Sequence, residues 1–183
     1  MMSTKTKLGQ TAEIAGPTHA NIFPNGNVAA SLISKAKRPL LVVGAESTKT
    51  ETNDGDVIDT AIRSMKNGKL TVVATGHLVG EFRKRGQDNV HSMSLFVLGK
   101  YLSEPDWKGF DGKGPYDTVI FIGYAYYVEW LVESGLKNFA NKLRTISLDR
   151  TYQPNAQWSI GWMPEPDWKE SIEIIVSRLE EEV

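Results

Sequence analysis

The run Lys37-Arg38-Pro39-Leu40-Leu41-Val42-Val43-Gly44 constrains the fold more than any other stretch. Basic residues close a helical pattern, and Pro39 then forces an extended start. Four apolar residues rich in valine follow, and the run stops at a glycine. This is how a helix feeds a buried parallel strand that ends in a ligand-facing loop. Looser versions recur at Lys69–Gly76 and Asp117–Gly123. Such strands, alternating with helical patterns, predict an α/β domain with a doubly wound, mostly parallel, Rossmann-like sheet. In that architecture ligands lie outside the carboxyl ends of the strands.

The helical patterns fall between the strands. Asn27 is placed to cap a helix over 28–37, and Asp54 a second one with Val57, Ile58, Ala61, Ile62 and Met65 as its apolar stripe. Further helices are predicted over 78–85, 91–102 and 125–134, the last broken at Gly135 and extended over 137–141. A final helix runs from about 166 to 181, with Trp168, Ile172, Ile175 and Leu179 on one stripe. Strands are predicted at 40–43, 70–74, 119–122 and 143–148, with a short extended piece over 157–160. The segment 103–116 is punctuated by Pro105, Gly109, Gly112 and Gly114, so it reads as a long loop holding Trp107 and Phe110. Residues 1–25 are polar and interrupted by Gly16, Pro17 and Pro24. They read as an extended arm or an unstructured terminus ahead of a single domain over 26–183.

Composition removes whole classes of function. The 183 residues carry a net charge of -1, which leaves no basic excess for a nucleic acid. No apolar run reaches membrane-spanning length, and the first residues lack the apolar core of a secretory signal. A cytoplasmic location is the simplest expectation. There is no cysteine, so disulfides and thiolate nucleophiles are excluded and an iron–sulfur cluster has no usual ligands. The histidines His19, His77 and His91 show no metal-ligand spacing. No catalytic constellation emerges.

Candidate cofactor-binding residues are those at the strand ends: Gly44, Ala45 and Glu46; Thr75, Gly76 and His77; Gly123; and Asp149. Glycines there allow close approach of backbone to a ligand, and helix starts offer free amides to a diphosphate. The same glycines serve a tight turn equally well, and the G-x-G-x-x-G fingerprint of dinucleotide sites is missing. Glu46 would repel a phosphate. His77 reads best as a hydrogen-bonding loop histidine. Tyr126 and Tyr127 could stack on an aromatic ring or pack a partner chain. Asp149-Arg150 could grip a ribose and phosphate or form an ordinary loop salt bridge, and Arg83-Lys84-Arg85 reads as a solvated or subunit-facing helix end.

Two resemblances rest on these residues. The runs 34–44, 117–123 and 145–149 resemble the central domain of thiamine-diphosphate enzymes, a Rossmann-like fold in which some members hold FAD. The stretches Ala36–Gly44, Gly76–Val79 with Glu81-Phe82-Arg83, Pro105–Gly109 with Asp111–Asp117, Tyr126-Tyr127 and Tyr152–Ala156 resemble the epsilon-subunit family of the archaeal acetyl-CoA decarbonylase/synthase complex, over nearly the whole chain from Ala12. That resemblance implies an accessory subunit of the carbon monoxide dehydrogenase component. It would bind the metal-cluster alpha subunit in an α2ε2 assembly that interconverts CO and CO2. It implies no catalytic residue. Stabilising the alpha subunit, or helping pass its electrons to FAD, are the roles it suggests. The expectation is no tightly bound cofactor, with FAD held weakly or only in the partner's presence.

Overall fold

The computed structural model describes residues 19–181. Seven parallel strands form one sheet: β1 (Asn21–Ile22), β2 (Pro39–Val43), β5 (Thr71–Ala74), β6 (Val90–Ser92), β7 (Thr118–Ile122), β8 (Arg144–Ser147) and β9 (Trp158–Ser159). Between β2 and β5, β3 (Glu51–Thr52) and β4 (Gly55–Asp56) form a separate antiparallel hairpin. The helices are α1 (Gly26–Ser34), α2 (Val57–Ser64), α3 (Gly76–Lys84), α4 (Leu95–Ser103), α5 (Tyr126–Phe139) and α6 (Glu165–Glu181). The spatial order is β6-β5-β2-β7-β8-β9-β1. The chain builds outward from β2 to β6, then returns to β7 on the other side of β2. That reversal makes the fold a Rossmann-like doubly wound domain and sets its switch point between β2 and β7.

Every residue of β2 and of β7 is buried, as expected of strands covered on both faces. Alternate side chains feed different layers. Leu41, Val43, Ile120, Ile122 and Ile146 pack beneath α1, α2, α3 and α6. Leu40, Val42, Val119 and Phe121 pack beneath α4 and α5. The period-2 alternation of a strand therefore decides which layer each residue serves.

Several local expectations are corrected. Asn25, not Asn27, caps α1, its Oδ1 accepting the Val28 N–H at 3.1 Å. Asp56, not Asp54, caps α2 in a reciprocal capping box with Asp59, and Arg85 then clamps both carboxylates at 2.6 and 2.9 Å. Arg85 is thus an internal clasp between α3 and α2 and not part of a free basic end. His91 lies on β6, where a helix was expected; β6 is too short to show an alternating pattern. Gly135 does not break α5, which runs unbroken over Tyr126–Phe139. Residues 1–18 of the expected arm lie outside the described residues. Asn21 and Ile22, also assigned to that arm, form the edge strand of the sheet beside β9.

The loop after α4 is tied down by its aromatics. Phe110 stacks on His91 with ring centroids 4.3 Å apart, and Trp107 meets Phe110 edge-on at 5.3 Å. Arg38 sits over the Tyr116 ring at 5.1 Å and pairs with Asp111 at 2.6 Å. That guanidinium holds the Asp111 carboxyl down at about 2. Trp107 and Phe110 are half-buried within their own chain, so they offer little area to a partner.

Candidate functional site

The carboxyl ends of β2, β7 and β8 bring Gly44, Ala45, Glu46, Gly123 and Asp149 together. Thr75, Gly76 and His77 stand one strand away at the start of α3, linked by the Thr75 N–H donating to the Val43 carbonyl at 3.3 Å. The switch-point crevice between β2 and β7 is closed by the chain itself. The Gly44 N–H donates to the Ile122 carbonyl at 2.9 Å, and the Glu46 N–H to the Gly123 carbonyl at 2.8 Å. A Cβ on Gly44 would overlap the Gly123 carbonyl, and one on Gly123, whose φ is +77°, would overlap Ser47 Oγ. These glycines are needed so that one strand-end loop can lie against the next. The 3-10 turn Ala45–Thr48 forms the lid, with Ser47 fully buried beneath it.

Asp149 completes the closure. Its Oδ1 accepts the Gly123 N–H at 2.8 Å and its Oδ2 accepts the Tyr124 N–H at 3.2 Å. Those are the amides that a Rossmann sheet offers to a phosphate. Here a carboxylate of the protein occupies them, so a diphosphate at this point would compete with a tethered anion. At the switch point the residues present do not fit a dinucleotide.

Behind Asp149 lies a feature that sequence reasoning missed. Glu129 and Glu133 stand one turn apart on the inner face of α5, and both are fully buried. Glu129 neighbours Asp149, Glu133 and the Ser147 hydroxyl. No protein N–H or O–H is aimed in good hydrogen-bond geometry at any oxygen of either glutamate carboxyl. Glu129 and Glu133, buried from water beside the carboxylate of Asp149 at the crevice wall, cannot both ionise. The nearest donors are the Ser147 hydroxyl beside Glu129 and the Ala156 backbone beside Glu133, and burial favours the protonated carboxyls. Burial first, then the charge of Asp149, pushes the pKa values of Glu129 and Glu133 well above the ordinary range. Asp149 is raised by burial too, against the bonds from Glu129 and the two amides. Its two backbone donors make it the best place in the cluster for a negative charge. The sequence signal was present: Glu129 and Glu133 share a stripe with Val132 and Leu136. Among the described residues no group of His, Cys, Asp or Glu is arranged to hold a metal ion.

Outside this closed centre, a crevice of about 470 Å³ opens over β7 and β8, lined by Lys49, Thr50, Glu51, Tyr124, Asp149, Arg150, Thr151, Glu165 and Trp168. Its charges are largely paired across it. Arg150 meets Glu165 at 3.3 Å, and Lys169 meets Glu165 at 2.9 Å and Glu51 at 3.4 Å. Buried Trp168 among its lining is fixed by an Nε1–H donated to the Leu148 carbonyl at 2.7 Å. Arg150 is thus salt-bridged within its loop region, while Asp149 takes the Gly123 and Tyr124 amides.

The sequence model of the family described as "CO dehydrogenase beta subunit/acetyl-CoA synthase epsilon subunit" matches residues 4–175. The chain belongs to this family. It is 41% identical to the acetyl-CoA decarbonylase/synthase complex subunit epsilon of Methanothrix soehngenii, over 83% of this chain and 79% of that one. It is 37% identical to subunit epsilon 1 of Methanosarcina barkeri, over 83% and 85% of the two chains. With the epsilon subunit of Methanothermobacter thermautotrophicus it shares 31% identity over 87% and 88%. The epsilon-family chain thus keeps a Rossmann-like sheet while closing the place where such sheets take a dinucleotide. Among its described residues no helix is long and apolar enough to cross a membrane.

Proposed function

We propose that this chain is a non-catalytic accessory subunit that binds and stabilises the metal-cluster alpha subunit of the carbon monoxide dehydrogenase component in an α2ε2 assembly. The assembly would carry out reversible acetyl-CoA cleavage and CO/CO2 interconversion, with the metal chemistry on the alpha subunit. The observation that carries this reading is the self-closure of the switch point, where Asp149 takes the Gly123 and Tyr124 amides. A chain that fills its own ligand position and has no cysteine is suited to shape and contact, not to redox chemistry. The test has two arms. The chain alone, incubated with nickel, iron and sulfide, should reduce no dye with CO. The alpha subunit should lose CO-oxidising activity several-fold more slowly on heating when the chain is present. An unchanged rate of loss overturns the proposal.

One observation favours a second reading, an FAD module that takes electrons from the alpha subunit. The crevice of about 470 Å³ beside the closed centre is lined in part by the buried aromatics Tyr124 and Trp168, and its size falls in the range of small-molecule sites. Its paired charges favour weak or partner-dependent binding. Titrating FAD into the chain with and without the alpha subunit, followed by flavin fluorescence, decides it; no quenching in either case removes the second reading.

A further inference from the structure

The closure of the switch point hangs on one carboxylate that stands between water and buried acids. Asp149 is half-buried and lines the crevice of about 470 Å³ on one side. It holds the Gly123 and Tyr124 N–H groups at 2.8 and 3.2 Å. Within hydrogen-bond reach behind it is Glu129, fully buried, which also reaches Glu133 and the Ser147 hydroxyl. The lid depends on the same loop, because the Glu46 N–H donates to the Gly123 carbonyl at 2.8 Å.

The elements packed around Glu129 bring it no counter-charge. Strand β7 has no charged residue, and the one on β8, Arg144, stands at the strand's opposite end and reaches Thr118. The segment 152–156, tied to α5 by Gln153 and Asn155, has none. On α4, which meets α5 at Gly99, the single charged side chain is the exposed Lys100. Lys137 lies about two turns beyond Glu129 on α5, toward the amino end of the sheet. The Tyr124 phenol is kept neutral by burial and donates to the Val43 carbonyl at 3.4 Å. Cations stand only across the crevice, where Lys49 and Arg150 join its lining and Lys169 is paired with Glu51 and Glu165. A proton on Glu129 therefore does two things. It is the donor that Asp149 receives from behind, and it keeps a second negative charge out of a site away from water. When that proton leaves for the crevice water, the donor becomes an anion. Asp149 is the carboxylate beside solvent, so the cheapest relief is to turn its side chain outward, toward Lys49 and Arg150.

We infer that Asp149 is a proton-gated latch: with Glu129 protonated it holds the switch point closed, and with Glu129 ionised it swings into the crevice and releases the Gly123 and Tyr124 amides. The latch works whatever partner the chain takes. Its sign follows from the surroundings of Glu129. Burial first, then the charge of Asp149, raises the Glu129 pKa in the closed form. The closed form thus binds the proton more tightly than the open one, where water reaches the cluster. Closure is complete in acid and is lost as pH rises above the ordinary Glu range.

Amide exchange read residue by residue on the full chain tests this. With the intrinsic pH dependence of exchange divided out, protection of Gly123 and Tyr124 should fall between about pH 5 and about pH 9, by up to about tenfold per pH unit. Phe121, in the buried strand β7, should stay at least about tenfold more protected than Gly123 throughout. Glu129→Gln keeps a donor for Asp149 and cannot ionise, so its Gly123 protection should stay flat. Glu133→Gln leaves the Glu129 carboxyl in place and should keep the transition. In the wild type the Glu129 carboxyl carbon, followed by NMR, should titrate at the same midpoint as the Gly123 change. Wild-type protection that does not vary with pH overturns the latch. So does equal protection of Phe121 and Gly123, which makes the opening general unfolding. A transition that survives Glu129→Gln, or a Glu129 carboxyl that titrates at a different midpoint, assigns the proton to another group and overturns it too.

Discussion

Helices α5 and α6 both bury or half-bury a pair of glutamates one or two turns apart, and the two pairs behave in opposite ways. On α6, Glu173 and Glu180 meet the guanidinium of Arg63 from α2 at 2.9 and 2.8 Å, and Lys66 joins Glu180 at 2.9 Å. Those cations hold Glu180 down at about 2 and lower Glu173. On α5, Glu129 and Glu133 face Asp149, Ser147 and each other, with no cation beside them, and their pKa values rise. The residue type and helical setting are the same. What differs is the depth of burial and the charge of the neighbouring element, and together they decide whether such a glutamate is an anion or an acid. The outer faces differ in the same sense. The α6 side is finished with ion pairs toward solvent, whereas the α4–α5 side ends in bare aromatic and aliphatic groups.

The largest expected effect breaks the closed centre that anchors Asp149. Gly123→Ala forces a side chain into a left-handed backbone position and into Ser47. It should cost about 3 kcal/mol in urea unfolding; a loss under about 1 kcal/mol would show that the two loops do not depend on each other.

Next comes the α6 side. Arg63→Met leaves Asp54, Glu173 and Glu180 without their shared cation and should cost about 2 kcal/mol at neutral pH. Because the folded pKa values of Glu173 and Glu180 are lowered, their contribution is present above the unfolded Glu value and fades as pH falls toward the folded values. The penalty of Arg63→Met should therefore shrink between neutral pH and about pH 3. A penalty independent of pH would mean that packing, not charge, is what Arg63 supplies.

The α5 acids predict the opposite slope. A carboxyl whose folded pKa is raised binds its proton in the folded state while the unfolded chain releases it. Stability from Glu129 and Glu133 is therefore complete below the unfolded Glu value and is lost as pH rises toward the raised folded values. Glu129→Gln removes one such group. Its stability should fall less steeply than the wild type's above about pH 5, by up to ~1.4 kcal/mol per pH unit. Parallel profiles would show that Glu129 is ionised in the folded protein. The smallest effect belongs to the same variant near pH 5, where glutamine replaces a neutral carboxylic acid of almost the same shape. A change under ~1 kcal/mol is expected there. A much larger loss would mean that the carboxyl proton has a partner the amide cannot replace.

The fold was largely legible because its signals are local. The fully apolar β2 and β7, their terminal glycines and the stripes of α2 and α6 declare themselves within a few residues. The edge strands β1 and β6 did not, since strands of two or three residues carry no pattern and exist only because β9 and β5 offer an unpaired edge. At Gly44 the closely approaching group is the Gly123 carbonyl, and at Gly123 it is Ser47.

What the sequence determined by itself was the alternation of strands and helices, the absence of thiolate ligands, and the family likeness. All of these reside in residue types and their spacing. Only the tertiary structure decided that Asp149 reaches back 26 residues to the Gly123 amide, that Glu129 and Glu133 share a space with it, and that Phe96 and Leu131 lie on one open face. Each of these depends on which strand lands beside which, and proximity across a sheet is set by topology, not by any neighbour in the chain.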